Sequence, residues 1–321
     1  MTHNPDGYSF ILPAYNDAEG LRRHIDFFSH VPGGRDQPVQ LVVVDDCSED
    51  ETPDLLAAVE LPEGLRVTYR RQMRNTGPAQ ARNLGISLAE EERVMFLDAD
   101  DLLSPCFFTV MKTVPLGVSQ LDFVLFKYHL STDRALRFTY DMHLVDRRFF
   151  THDSSIFYPV SCYRLQDRPW ALATVNFPWN KLYRRAFLQD SGIAFPDVRM
   201  HEDIPPHWAS FLRSNLFGVL DWAPPLITHY EVFSERRATQ YVGEKRMAVF
   251  TDLLPQVEAE VLNHSAADRL LPIYRDFCRD LFAWLSGKLC DDGGEAGRIW
   301  RPRYEDAIAA FWASSLAGED R

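Results

Sequence analysis

The chain lacks the features that mark membrane, secreted and nucleic-acid-binding proteins. No run of about 18 uninterrupted apolar residues occurs, which argues against a membrane-spanning helix. The five cysteines (Cys47, Cys106, Cys162, Cys278, Cys290) are odd in number and scattered, with no C-x-x-C pair. That pattern argues against zinc or dithiol redox work, and the thiols are expected to be reduced and structural. Basic charge is in deficit, with 34 Lys and Arg against 46 Asp and Glu for a net charge of −12. No nucleic acid is therefore expected as a partner of a general basic surface, and a small anionic ligand would need a local site or a metal. Residues 1–7 carry neither a basic stretch nor an apolar core, so the expectation is a chain without a secretory signal, cytoplasmic by default. Neither internal repeats nor low-complexity tracts are visible.

What is present suits a packed globular protein: 321 residues, 46% apolar and 13% aromatic. Two apolar runs each break off into carboxylates, Leu41-Val42-Val43-Val44 into Asp45-Asp46 and Val94-Met95-Phe96-Leu97 into Asp98-Ala99-Asp100-Asp101. Apolar runs without alternation read as strands covered on both faces, as in parallel α/β sheets, which bind ligands beyond the carboxyl ends of their strands. Five carboxylates on one rim would repel one another unless a cation sits among them or several face water.

From Tyr8 to Lys127 short apolar runs alternate with amphipathic stretches, the pattern of successive βα units. Strands are predicted at 8–12, 40–44, 65–69, 93–97 and 121–127. Helices are predicted to start at Asn16 with Glu19 in a capping box, at Thr52-Pro53, at Pro78 after Gly77, and at Ser104-Pro105. Residues 131–178 follow neither period. Beyond them the pattern predicts a helix at 184–191 ended by Gly192, another from near Asp203, and strands at 216–220 and 226–230. From about 243 the chain reads as helical, with a linker at 291–295 and a last helix around 303–316. The expected division is a catalytic unit over 1–240 and a helical C-terminal region over 241–321.

Four motifs in order over the first 105 residues carry a resemblance. Pro13-Ala14-Tyr15-Asn16, Asp45-Asp46-Cys47-Ser48 with Asp50 and Thr52, Asn75-x-Gly77-Pro78-x-x-x-Arg82-Asn83-x-Gly85, and Asp98-Ala99-Asp100-Asp101 together resemble the GT-A glycosyltransferases of family 2. Trp179-Asn180-Lys181-Leu182-Tyr183-Arg184-Arg185 and His201-Glu202-Asp203 resemble the acceptor half of bacterial members that build surface polysaccharides. The resemblance implies an α/β GT-A (Rossmann-like) fold with a mostly parallel sheet flanked by helices. It also implies metal-dependent, inverting transfer of a sugar from a nucleotide-sugar donor, a UDP-sugar first, to a glycan or lipid-linked glycan.

The resemblance implies roles residue by residue. Pro13, Tyr15 and Asp46 would hold the base, and Asp98 would sit near the ribose. Asp100 would bind Mn²⁺ or Mg²⁺, with Asp101 either a second ligand or a solvated turn residue. Arg82 or Arg74 would stand near the pyrophosphate, or pair with the acidic rim. Asp203 would be the general base, with Glu202 beside it on acceptor hydroxyls; Asp203 could also simply cap the helix that Pro205-Pro206 begins. His201 stands where family members often have Gly. His229 reads either as a late metal ligand or as a satisfied strand-end histidine, and Arg236 or Arg237 as a phosphate contact. Trp170, Trp179 and Trp208 are sugar-stacking or core residues. The segment Arg298–Tyr304 mixes bases with aromatics, as a peripheral membrane contact or a docked helix would.

Two rivals stay open. A sugar nucleotidyltransferase would share the sheet and paired aspartates, but its Gly-rich phosphate loop is absent after the first strand. A nucleotide- or glycan-binding protein with the same fold would lack turnover.

Overall fold

The computed structural model describes residues 7–31, 36–58, 61, 63–114, 121–150, 160–231, 243–291 and 295–316. Strands β1 (Tyr8–Ala14), β2 (Val39–Asp45), β3 (Leu65–Arg71) and β4 (Arg93–Phe96) alternate with helices α1 (Ala18–His30), α2 (Thr52–Ala58) and α3 (Pro78–Leu88). Then come β5 (Leu102–Leu103), α4 (Phe107–Met111), β6 (Phe123–Phe126), β7 (Tyr128–Ser131), α5 (Leu144–Phe149) and β8 (Ser161–Tyr163). Two 3₁₀ turns, Leu165–Asp167 and Pro169–Ala173, lead to β9 (Lys181–Arg184), α6 (Arg185–Asp190), α7 (Ile204–Arg213), β10 (Phe217–Leu220) and β11 (Ile227–Tyr230). After short turns of 3₁₀ and π helix come α8 (Leu254–Asn263), α9 (Ala267–Asp291) and α10 (Glu295–Leu316), the last of the described elements.

The main sheet runs β3-β2-β1-β4-β9-β6-β10-β8. Its first four strands are parallel, and β9 enters antiparallel to both β4 and β6. β1, β2, β4 and β6 are buried along almost their whole length, as their unbroken apolar runs require. A second sheet, β5-β11-β7, stands beyond the end of β4. Parallel βα units send β1, β2 and β4 the same way, so the residues after each strand meet at one edge. Because β9 runs the other way, its first residue Lys181 arrives at that edge too: Leu182 pairs with Met95, near the end of β4.

Several expected boundaries shift. α1 starts at Ala18, with Asp17 as its N-cap accepting from the Gly20 amide at 3.1 Å, not at Asn16. Asn16 has a positive φ of 51° and belongs to the preceding turn, its Oδ1 accepting from the Glu49 amide. The α2 start is held by Asp50, which accepts from the Thr52 amide at 3.0 Å. The start signal at Ser104-Pro105 gives a helix only from Phe107. The last helix begins at Glu295, eight residues before the expected 303, and continues through Pro302. Tyr304 is buried and its hydroxyl donates to the Gly243 carbonyl at 3.0 Å, so this stretch docks on the protein.

Helix α1 supports the turn after β4. A Cβ on Gly20 would stand 2.1 Å from the carbonyl oxygen of Ala99, and the His24 imidazole meets the Asp98 carbonyl at 3.1 Å. Burial pushes the His24 pKa down to about 4, so its neutral ring donates this bond. Gly20→Ala is expected to lower stability by about 1 to 2 kcal/mol in urea unfolding. The backbone clash costs about 1–3 kcal/mol and outweighs a helix-propensity gain of up to about 1 kcal/mol. Unchanged or raised stability would contradict this packing.

Candidate functional site

The loops after β1 and β2 are laced together. The Ser48 hydroxyl accepts from the Asn16 amide at 3.0 Å, and Asp50 accepts from the Ala18 amide at 3.1 Å. Asp45 turns inward, accepting from the Ser48 amide at 2.7 Å and the Tyr69 hydroxyl at 2.7 Å. Asp46, nearly buried, accepts from the amides of Thr76 and Gly77, each at 2.7 Å. Its carboxylate thereby fixes the loop that enters α3. Gly77 allows this, because its φ of 93° is open to glycine and strained for other residues. Pro13 is half-buried and Tyr15 is 50% exposed, so a flat ligand could stack on the ring at this rim.

The turn after β4 meets the second sheet. Antiparallel pairing of Thr228 with Leu102 brings the next residue, His229, against Asp101. His229 Nδ1 lies 2.8 Å from Asp101 Oδ1, and the Tyr230 amide donates to the same oxygen at 2.9 Å. Burial pushes the Asp101 pKa up to about 6 against the pull of His229. Burial also opposes charge on His229, but Asp101 wins and raises it to about 9, which makes the contact an imidazolium–carboxylate pair. Trp179, fully buried, stacks against the His229 ring at 4.7 Å and fixes its plane. Ligand atoms of Asp98, Asp101 and His229 all lie within 4.8 Å of one another.

Arg82 joins this turn to the loop before α7. Its guanidinium, with the side chain 6% exposed, donates to Asp98 Oδ1 at 2.8 Å and to Glu202 Oε1 at 3.0 Å. Burial opposes its charge, but the two carboxylates overcome that and hold it protonated. Its plane lies over the Phe195 ring at 5.3 Å, and neighbouring Asn83 exchanges two hydrogen bonds with the Phe195 backbone.

Asp203 is the N-cap residue of α7, yet its side chain makes no capping hydrogen bond. The reason lies in the next residues. A capping carboxylate accepts from the second or third helical amide, and those positions are Pro205 and Pro206, which have none. Burial pushes the Asp203 pKa up to about 7, helped by Glu202 and opposed by Arg82. Beneath it Lys181 is buried, donating to the Phe177 carbonyl and Asn180 Oδ1, and burial brings its pKa down to about 7.

Asp98, Arg82 and Glu202 thus form one ion-paired group with Asp203 beside it. Asp46 lies at the neighbouring strand end, tied to the α3 loop. Asp100 is half-buried on the same turn as Asp98, but the clustered ligand atoms among the described residues belong to Asp98, Asp101 and His229. Arg74 is exposed and lines an open cleft with Asn75 and Arg199. Arg236 and Arg237 lie outside the described residues. Trp179 and Trp208 are fully buried core residues, whereas Trp170 is 63% exposed. Sequence reasoning passed over Phe195, His24 and Lys181 as site residues; for Lys181 the available signal was its place in the motif Trp179–Arg185.

Residues 9–192 match the family model described as Glycosyl transferase family 2. The chain is 41% identical over 97 residues to the succinoglycan biosynthesis protein ExoO of Rhizobium meliloti, covering 30% of this chain and 26% of that protein. It is 24% identical over 260 residues to the poly(ribitol-phosphate) beta-N-acetylglucosaminyltransferase TarS of Staphylococcus aureus, covering 80% and 40%. These matches span less than half the length of either relative. The crystal structure of S. aureus TarS 1-349 in complex with UDP-GlcNAc has a similar fold, with a TM-score of 0.71 at 21% identity over 95% of this chain and 80% of that one.

Asp46→Ala is expected to destabilise the nucleotide-free protein by about 2 to 4 kcal/mol in urea unfolding, since two amides lose a charged acceptor. A loss under about 0.5 kcal/mol would mean the carboxylate does not hold the α3 loop.

Proposed function

We propose, since the chain belongs to glycosyl transferase family 2, that it transfers a sugar from a nucleoside diphosphate sugar, a UDP-sugar, to a hydroxyl of a glycan or lipid-linked glycan, with inversion. The observation that carries this reading is the convergence at one sheet edge of two chemically distinct groups: the Asp98, Asp101 and His229 cluster, and the uncapped Asp203. Arg82 ties them into one frame. The TarS complex with UDP-GlcNAc supports the donor class, and the names of ExoO and TarS support a glycan acceptor.

An acceptor hydroxyl must lose its proton as the new bond forms. Asp203 is the residue for that step: near neutrality a base whose pKa is close to 7 combines a sizeable ionised fraction with real proton affinity. Glu202, held by Arg82, is the better positioner of acceptor hydroxyls. The two adjacent carboxylates thus take different roles because only one is locked to a cation.

Two carboxylates and an imidazole suit a divalent ion such as Mn²⁺, and less so Mg²⁺, which prefers oxygen and water. Asp98, Asp101 and His229 would hold it, with Asp100 on the same turn at hand. When bound, it would neutralise charge on the departing diphosphate. Binding must displace the His229 proton, so affinity should rise with pH.

UDP is expected to raise the melting temperature by several degrees more with Mn²⁺ than with EDTA. His229→Ala and Asp101→Asn should remove that increment while Asp203→Asn keeps it, and stabilisation indifferent to Mn²⁺ would remove the ion from this reading. Asp203→Asn is expected to lower transfer at least about 100-fold with UDP binding little changed. In the unmodified protein at saturating Mn²⁺, kcat/KM should climb with pH up to about 7 and level off above it, because the active form is the one with Asp203 ionised. Undiminished turnover in Asp203→Asn would move the base elsewhere.

A further inference from the structure

His201, immediately before Glu202 and Asp203, has a φ of 60°. Its carbonyl closes the turn by accepting from the Ile204 amide at 3.2 Å. An L side chain occupies this left-handed region only where its surroundings hold it there. What holds it comes from the C-terminal region, 45 residues on. Arg246, at the end of the 3₁₀ turn Glu244–Arg246, is 1% exposed, and its Nη1 donates to His201 Nε2 at 2.6 Å. Accepting at Nε2 requires a neutral ring protonated on Nδ1. Burial and the adjacent guanidinium keep it so, holding the His201 pKa down at about 3. Trp284 of α9 lies against both: the Arg246 guanidinium covers its ring at 5.0 Å, and the His201 ring meets it edge-on at 5.9 Å.

A strained backbone and a nearly inaccessible guanidinium are both unfavourable by themselves, and here they meet one residue from the proposed acceptor carboxylates. We propose that Arg246, stacked on Trp284, is a positioning residue that holds His201 in its left-handed conformation and so fixes Glu202 and Asp203 for the acceptor. The helical C-terminal region then takes part in the reaction by setting the geometry of a loop it does not contain. This inference rests on the reading of Asp203 as the base.

The role of Arg246 should depend on what occupies position 201, because glycine adopts a φ near 60° unaided. In steady-state transfer with the full chain, Arg246→Met is expected to lower kcat about tenfold with the donor KM within twofold. The same change made in an H201G background should lower kcat less than threefold. Equal losses in both backgrounds would make Arg246 a general structural support, and no loss in either would remove it altogether; each overturns the inference. Arg246→Lys, which keeps the charge but loses the planar stack, replaces Arg246→Met in the same comparison should the latter fail to fold. Amide hydrogen exchange over residues 200–206 needs no substrate: Arg246→Met should speed it at least fivefold in the His201 background and hardly in H201G. Unchanged exchange overturns the inference whatever the activity, whereas a wild-type chain that consumes no UDP-sugar, with exchange behaving as expected, overturns only the proposed reaction.

Discussion

The site depends on one buried cation. Arg82 sits on α3, and its two arms reach Asp98, 16 positions on, and Glu202, 120 positions on. Taking a guanidinium out of water is costly, and only good geometry with both carboxylates offsets that cost; with either partner missing, an uncompensated charge would remain. The flat group also lies on Phe195, which a lysine could not exploit in the same way. Around it α3 and the loop that enters it clamp the loop leading to Asp203 at two further places: Asn83 of the helix on the Phe195 backbone, and Asn75 of the loop with Arg199 at 2.7 Å. The spacing Asn75, Gly77, Pro78, Arg82, Asn83 thereby acquires a physical meaning, since each of these residues either starts the helix or ties this segment to a strand end or the loop before α7.

Crowding of carboxylates at the sheet edge poses an electrostatic problem that the chain solves one residue at a time. Asp45 is absorbed by Tyr69 and the Ser48 amide, Asp46 by two loop amides, Asp98 by Arg82 and Asp101 by His229. Two of these partners are protein cations, so the rim is stable before any ligand arrives. They are not equivalent. Arg82 stays charged at any accessible pH, whereas His229 can surrender its proton, which is why the proposed divalent ion is assigned to the His229 side.

The parts of this arrangement that were legible in the sequence are those written locally. Strand cores, the α3 start at Gly77-Pro78 and the acidic ends of β2 and β4 follow from apolar runs and turn residues a few positions apart. Hence the α/β fold and the placement of Asp46 and Asp98 at one edge could be anticipated, whereas Asp203 was singled out only through the family resemblance. What stayed hidden depends on pairings between distant segments. His229 meets Asp101 through the register of a three-stranded sheet whose strands lie near 102, 128 and 227. Arg82 could be read as a phosphate contact or a rim partner, and only the approach of the loop carrying Glu202 puts both of its arms on carboxylates. The start of the last helix was misplaced for a different reason: Pro302 reads as a breaker, yet the helix runs through it.

The state of Asp203 shows how sequence and packing combine. A helix N-terminus ordinarily stabilises a carboxylate by about 0.3 to 1 kcal/mol, less than the roughly 1.4 kcal/mol that moves a pKa by one. Most of that benefit comes through first-turn amides, and Pro205 and Pro206 remove the two that a capping oxygen would use. Burial is then opposed chiefly by Arg82, whose arms are already taken by Asp98 and Glu202, and the pKa climbs from 3.8 to about 7. The helix is also kept from shifting to relieve this, because Trp208 packs on Tyr274 and Phe277 of α9 at 5.4 and 5.3 Å. A carboxylate whose capping amides are missing and whose nearest guanidinium is already shared, on a helix that is not free to move, retains the proton affinity that the proposed base would need.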